Sequence, residues 1–448
     1  MTGKDKLNSA RIFSFWLPLA STWLMMAIEG PIMAAVIARM AEPKINLAAY
    51  GVSFSLALIA EAPVMMLMTT ATALVNGWRS YNKLLNFSAI LGLLMSALML
   101  LMVTDIPYRI LSSNILNLPE NVAAITQTAI TIMLIWPAAI AYRRFYQGVL
   151  IRYRQTNRVA AGTILRILSS SSVVLLLYKF SVCSGAIAGA AALSAGVLVE
   201  AISVRVMASG IVTRLKNNTP EDPPLDYMEI VRFYLPLGIT TFVALSIHPV
   251  VTFFMGKARM PLESLAVLPV LNSFTFLFKA MALSYQEVIV ALIGKDSRGY
   301  RPLLVFSWQL GLVMSLIYVL VITTPLYSFW FQGVAGLTPE LASFVFMPAL
   351  LLLPVPACAV WLIWERGMLL KAKRTRFITH SSIIELSVVV LTLFILIKYA
   401  NCIGAVAAAA ALMIGRIAAN IYLIIPSLKA RHFILKQTGP PGEVKNSA

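Results

Sequence analysis

The chain has 448 residues, 59% of them hydrophobic and 12% charged, with a formal net charge of +18. A soluble domain carries about 25% charged residues, so a soluble globular fold is excluded. The apolar residues come in unbroken blocks of twenty or more. That is enough for a helix to cross a bilayer, and the blocks lack the alternation of a barrel strand.

Hydropathy and helix breakers predict an all-α membrane protein of twelve spans. The first six run over about residues 12–38, 47–75, 84–104, 121–142, 159–179 and 185–210. The second six cover about 231–256, 264–293, 302–323, 340–364, 378–398 and 403–426. The first block is too long for the apolar core of a signal peptide and contains Pro18, Glu29 and Pro31. It reads as the first span. The second carries a single acid, Glu61, within "LALIAEAPVMMLMTT". Between the sixth and seventh spans lies "RLKNNTPEDPPLDYMEIVR", the longest polar stretch, whose Pro220, Pro223 and Pro224 oppose a helix. The sequon Asn217-Asn218-Thr219 within it is expected to stay unmodified on the cytoplasmic side.

The basic residues orient the chain. With the N-terminus inside, 25 of 36 Lys and Arg fall in inside segments, 7 fall outside and 4 lie within helices. Both termini are therefore expected in the cytoplasm, in the plasma (inner) membrane. The same distribution explains the basic excess without nucleic acid, since the charges occupy short loops. Cys183, Cys358 and Cys402 give neither a disulfide framework nor a metal-site spacing.

The chain is duplicated. "FWLPLASTWLMMAIEGPIMAAVIARMAEPKINLA" from Phe15 aligns without gaps, at an offset of 218, with "FYLPLGITTFVALSIHPVVTFFMGKARMPLESLA" from Phe233. Pro18 meets Pro236 and Pro31 meets Pro249; these four prolines are the expected hinges. At offset 219, "FSAILGLLMS" faces "FSWQLGLVMS", and Cys183 meets Cys402. Those two cysteines read as packing residues. An even number of spans per repeat makes the halves parallel about an axis along the membrane normal. The expected organisation is a lobe at 1–213, a linker at 214–230, a second lobe at 231–428 and a tail at 429–448.

Charged residues inside spans are costly and suggest function. Glu61 aligns with Lys279, so equivalent positions carry opposite charges, and a pair across the two lobes is expected. Asn272 and Gln286, seven residues to either side of Lys279, extend a polar stripe on one helix face. Arg166 aligns with Glu385 in a second swap. Glu29 stands two residues before Pro31, and His248 directly before Pro249. The candidate substrate or ion-binding residues are thus Glu29, Glu61, Arg166, His248, Asn272, Lys279, Gln286 and Glu385. Met65, Met66 and Met68 read as lipid-facing packing.

Two six-helix repeats, each with a Pro-containing first helix ("FWLPLA"), a short loop and a segment such as "LAAYGVSFSL", resemble the multidrug and toxin extrusion (MATE) transporters and the exporters and flippases sharing their fold. "LAAYGVSFSLALIAEAPVM" (47–65) and "HPVVTFFMGK" (248–257) are most similar to the progressive ankylosis family. The resemblance implies alternating access and export of an organic anion or phosphate-containing metabolite. The drug-exporter branch implies organic cations coupled to H+ or Na+. An acid in the outer part of the first helix often serves that branch; this chain has Met33 there, with Glu29 one turn away.

A lipid-linked sugar flippase on the same fold would need a strongly cationic cavity, whereas acids and bases within the helices roughly balance. No hydrolase, zinc or Walker motif appears, so neither an enzyme nor an ATP-driven pump is expected. No sizeable soluble domain exists to make the chain a receptor or scaffold. The expectation is an exporter of a small solute, monomeric, without catalytic residues, metal or cofactor beyond a coupling H+ or Na+.

Overall fold

The computed structural model describes residues 7–217, 225–293, 299–372 and 374–436. Residues 218–224 of the expected linker, including Asn218 and Thr219 of the sequon, and tail residues 437–448 lie outside them. Among the described residues eleven helices are long and apolar enough to span a bilayer, and a pair bent by 44° supplies a twelfth. They are α1 Ser9–Ala38, α2 Pro43–Leu74, α3 Trp78–Val103, α4 Glu120–Arg152, α5 Thr156–Phe180 and α6 Gly185–Met207. In the second half come α7 Tyr227–Gly256, α8 Pro261–Leu292, α9 Tyr300–Thr323, the bent α10 (Pro339–Leu351 and Val355–Lys371), α11 Arg376–Lys398 and α12 Gly404–Lys436. Among the described residues the β structure is one isolated bridge, Arg259 to Ile403.

Local chemistry sets the helix starts, and it repeats. Glu42 and Met260 are left-handed (φ 49° and 54°), and each is followed by a proline that opens α2 or α8. Proline suits the first helical position, where its missing N–H is not needed and its φ is already helical. Asn46 Oδ1 accepts the Ala186 N–H at 3.0 Å, as Ser264 Oγ accepts that of Ala405 at 3.0 Å. A π-helical turn at Ile110–Ile115 recurs at Phe329–Val334. The hydroxyls of Tyr108 and Tyr327 donate to the carbonyls of Ala123 and Ala342. The helix interruption at Met133–Ile135 in α4 corresponds to the bend of α10. The duplication is thus written into backbone irregularities as well as into sequence.

Helices α2, α6 and α8 form the centre, with 61% of their apolar windows buried; α7 at 17% and α3 and α5 at 22% are peripheral. The expected spans are all present, but several run further. α3 begins at Trp78 rather than near 84, α4 continues to Arg152 and α10 to Lys371. Arg143 and Arg144 therefore lie within a helix, not in a loop. Arg, Lys and Gln are good helix formers, and here buried partners receive them. α1 continues unbroken through Pro18 and Pro31, and α7 through Pro236. α7 is interrupted at Ser246, close to Pro249, whose ring nitrogen has no hydrogen for the Leu245 carbonyl.

Candidate functional site

The first half holds a closed charge network. Glu29 on α1 faces Arg166 on α5 at 3.2 Å, and its other oxygen accepts from Ser170 Oγ at 2.9 Å. Arg166 Nε reaches Glu200 on α6 at 3.4 Å, and Arg143 on α4 pairs with the same carboxylate. Gln147 Nε2 donates to Glu200 at 2.9 Å and Thr163 Oγ1 at 3.3 Å. Glu200 is 0% exposed. A buried carboxylate persists only when its lone pairs are occupied, and here Arg143, Gln147 and Thr163 donate to it while Arg166 adds its charge at 3.4 Å. Sequence reasoning singled out Glu29 and Arg166 but put Arg143 in a loop. The available signal was Arg143 and Gln147, one turn apart on the same face.

Glu61 is buried and accepts from Trp136 Nε1 at 3.2 Å. Arg144 lies within electrostatic reach of Glu61, but no carboxylate pairs with it. Its guanidinium meets Met65 Sδ at 3.3 Å, Met68 Sδ at 3.8 Å and Gln147 Oε1 at 3.4 Å. Met65 and Met68 therefore turn to a cation instead of serving as lipid-facing packing.

The second half is looser. Glu385 on α11 pairs with Arg416 on α12 at 3.0 Å. Lys279 on α8 is half-buried, feels the charges of Glu385 and Arg416, and has His248 within electrostatic reach. Asn272 and Gln286 are half-buried on the same helix. Arg366 on α10 has one hydrogen bond, to Ser382 Oγ at 3.3 Å. The structure thus joins Glu29 with Arg166, and gathers Lys279, Glu385 and His248. It does not pair Glu61 with Lys279; each is engaged within its own half. In place of the expected cross-lobe ion pair, Glu61 accepts a hydrogen bond from Trp136 of its own half.

The halves meet at both ends of the bundle. At the end bearing the chain termini, Trp16 Nε1 donates to Ser284 Oγ at 2.8 Å. Midway, Thr252 Oγ1 donates to Ser55 Oγ at 2.9 Å. At the opposite end Lys44 bridges Glu263 at 2.6 Å and Glu340 at 3.9 Å, while Arg39 donates to the Gly333 carbonyl. Arg39 lies over Gly336, whose φ of +73° and missing side chain leave room for the guanidinium. The cysteines are unpaired, and burial pushes the Cys183 thiol up, away from reactive thiolate. No metal-binding cluster occurs among the described residues.

No protein-family model matches the chain, and no curated protein does. Solved structures do. An inward-facing multidrug-resistance MATE transporter of the MOP superfamily superposes with a TM-score of 0.73 at 13% identity, over 94% of this chain and 96% of that one. The lipid II flippase MurJ, inward closed, gives 0.71 at 14% identity over 94% and 90%. A MOP transporter from Pyrococcus furiosus, described as having a binding pocket of reversed polarity, gives 0.57 at 13% identity over 94% and 97%. Across almost its entire length, the chain has the fold of the MATE-like transporters of the MOP superfamily.

Proposed function

We propose that the protein is a secondary transporter that exports a small organic anion, such as a phosphate-containing metabolite, by alternating access between its halves. One observation carries the choice of charge. Inside the described spans three cations, Arg144, Lys279 and Arg366, have no carboxylate within ion-pair distance, against two such acids without a cation, Glu61 and Glu365, while Glu29, Glu200 and Glu385 are paired with arginines. Unpaired intramembrane cations are costly unless a ligand or water serves them, so the cargo that fits is anionic. The likeness of 47–65 and 248–257 to the progressive ankylosis family supports the same reading. The Pyrococcus furiosus neighbour is described as having a binding pocket of reversed polarity that suggests a different function.

The parallel lobes carry both termini on the cytoplasmic side of the plasma (inner) membrane, and the unit is a monomer. Glu29 and Glu61 are the acids that take up a coupling H+ or Na+. Pro18, Pro31, Pro236 and Pro249 are the points where α1 and α7 bend between states. A flippase for lipid-linked substrates is the second reading, favoured by the fit to MurJ. The deciding experiment is counterflow in proteoliposomes with labelled organic phosphates, carboxylates and cationic dyes. Uptake of an anion that is lost in Arg144→Met and Lys279→Met is expected. Transport of cations alone, unaffected by both variants, would refute the anion assignment.

A further inference from the structure

A basic recess outside the charged interior remains unassigned. It lies at the terminus-bearing end of the bundle, between the α10–α11 turn and the last turns of α12. Its volume is about 410 Å³ and its lining is Arg374, Ile425, Leu428, Lys429 and His432. Ile425, Leu428, Lys429 and His432 are spaced i, i+3, i+4 and i+7, so they form one stripe of α12. Arg374 is set opposite by its backbone N–H, which bonds the Leu369 carbonyl at 2.8 Å. None of the five lining residues is acidic.

The stripe has a direction. Ile414, Ile417, Ile421, Ile425 and Leu428 are exposed along the outer face of α12, Ile421 at 61% and Ile425 at 63%. These side chains face hydrocarbon, because α12 spans the membrane. Their row ends in the basic recess, at the level where a span leaves the apolar core. An apolar track leading into two cations and an imidazole has the polarity of one lipid molecule, with an acyl chain along the isoleucines and a phosphate among the basic groups. Basic pockets beside spans on one leaflet are suited to anionic headgroups.

We propose that this recess is a binding site for one anionic glycerophospholipid of the leaflet at the terminus-bearing face. Its phosphodiester is held by Arg374, Lys429 and His432, and one acyl chain lies against Ile425 and Leu428. The proposal is independent of the cargo, because the recess shares no residue with the charged interior.

The test is native mass spectrometry of the detergent-purified full chain titrated with phosphatidylglycerol, phosphatidylcholine or inorganic phosphate. Phosphatidylglycerol should be retained in preference to phosphatidylcholine. Lys429→Gln should weaken retention about fivefold, and Arg374→Gln with Lys429→Gln about 25-fold, at about fivefold per charge. Ile425→Ser with Leu428→Ser should weaken the lipid adduct too. These side chains lie at the surface, and Lys429→Arg, which keeps the charge, should retain the lipid. Equal retention by the charge variants, or no preference over phosphatidylcholine, overturns the site. Displacement of the lipid by inorganic phosphate at equal concentration, with no effect of the Ile425 and Leu428 changes, would make it a free-anion site and overturn the lipid assignment.

Discussion

Glu200 occupies the most demanding position in the protein, a carboxylate with 0% exposure held by Arg143, Arg166, Gln147 and Thr163. Breaking a buried ion pair from one side leaves the other charge uncompensated, at a cost of about 3–5 kcal/mol. Arg143→Met should therefore lower the thermal unfolding midpoint in detergent sharply, and Glu200→Leu combined with it should recover part of the loss. A double variant no more stable than Arg143→Met would show that the carboxylate is not what the arginine stabilises. Glu61 and Lys279 behave differently, because they are not paired with each other: Glu61 is bonded by Trp136, and Lys279 feels Arg416 and Glu385 of its own half. Their single-variant destabilisations should add to within about 0.5 kcal/mol, as for separate sites. A larger coupling in unfolding midpoints would place the two charges together in the ground state after all. Hydropathy revealed Glu61 and Lys279, since a lone charge in an apolar block is visible in one dimension. It concealed Arg143 and Glu365, which sit where helices run on past their apolar cores. Glu365 is buried at 1% exposure, yet a sequence gives no sign of whether such an end is wet.

At the scale of elements, α5–α6 and α11–α12 are matched close pairs, each carrying a glycine where an ion-pair residue crosses. A Cβ on Gly196 would stand 2.9 Å from the Ser170 Cβ and 3.1 Å from the Arg166 carbonyl. On Gly415 it would stand 3.0 Å from the Glu385 carbonyl. Gly196→Leu should wedge α5 from α6 and pull both Ser170 and Arg166 away from Glu29, costing roughly 1–3 kcal/mol for overpacking. Loss of folded yield and of any ion-gradient dependence together is the expected result; normal transport would mean that the helices separate freely. The spans themselves were legible, because twenty-residue apolar blocks and breakers are one-dimensional signals. The π-helical turns and the tyrosine clamps were not, since they depend on which carbonyl a side chain meets. The repeat offset could have linked Tyr108 to Tyr327 but could not have named Ala123 or Ala342 as partners.

For the whole molecule, the proposed alternating access makes the contacts between halves what must part during a cycle. Lys44 with Glu263 and Glu340, and Arg39 on Gly333, close the end opposite the termini. Partly exposed pairs like these contribute about 0–1 kcal/mol each, weak enough to open in the proposed cycle. A short bis-maleimide joining Lys44→Cys to Glu263→Cys, in a chain whose own cysteines are serine, should abolish transport. Cleavable cross-linkers of the same length should allow recovery on cleavage. Undiminished turnover of the linked protein would exclude separation of the halves at this end. Lys44→Glu should shift the population toward states open there, read as greater labelling of Arg39→Cys by an impermeant thiol reagent. The inter-half contacts could not be read from the sequence, because alignment of the repeats shows equivalence and not contact.

The buried network also has a consequence for how the protein is made. Glu29 enters the bilayer with the first span, but Ser170, which hydrogen-bonds it, lies 141 residues further along the chain. Arg143 likewise precedes its carboxylate by 57 residues. A lone charge at mid-helix opposes insertion by about 2.5–3.5 kcal/mol, so α1 and α4 are poor residents of lipid until α5 and α6 emerge from the ribosome. The first half must then assemble as a unit at the insertion machinery, with its early spans held in a protected setting rather than released one at a time. Nascent chains truncated before α5 should remain cross-linkable to the insertion channel, and chains extended past α6 should not. Glu29→Leu should let α1 escape early, separating the order of synthesis from the order of packing.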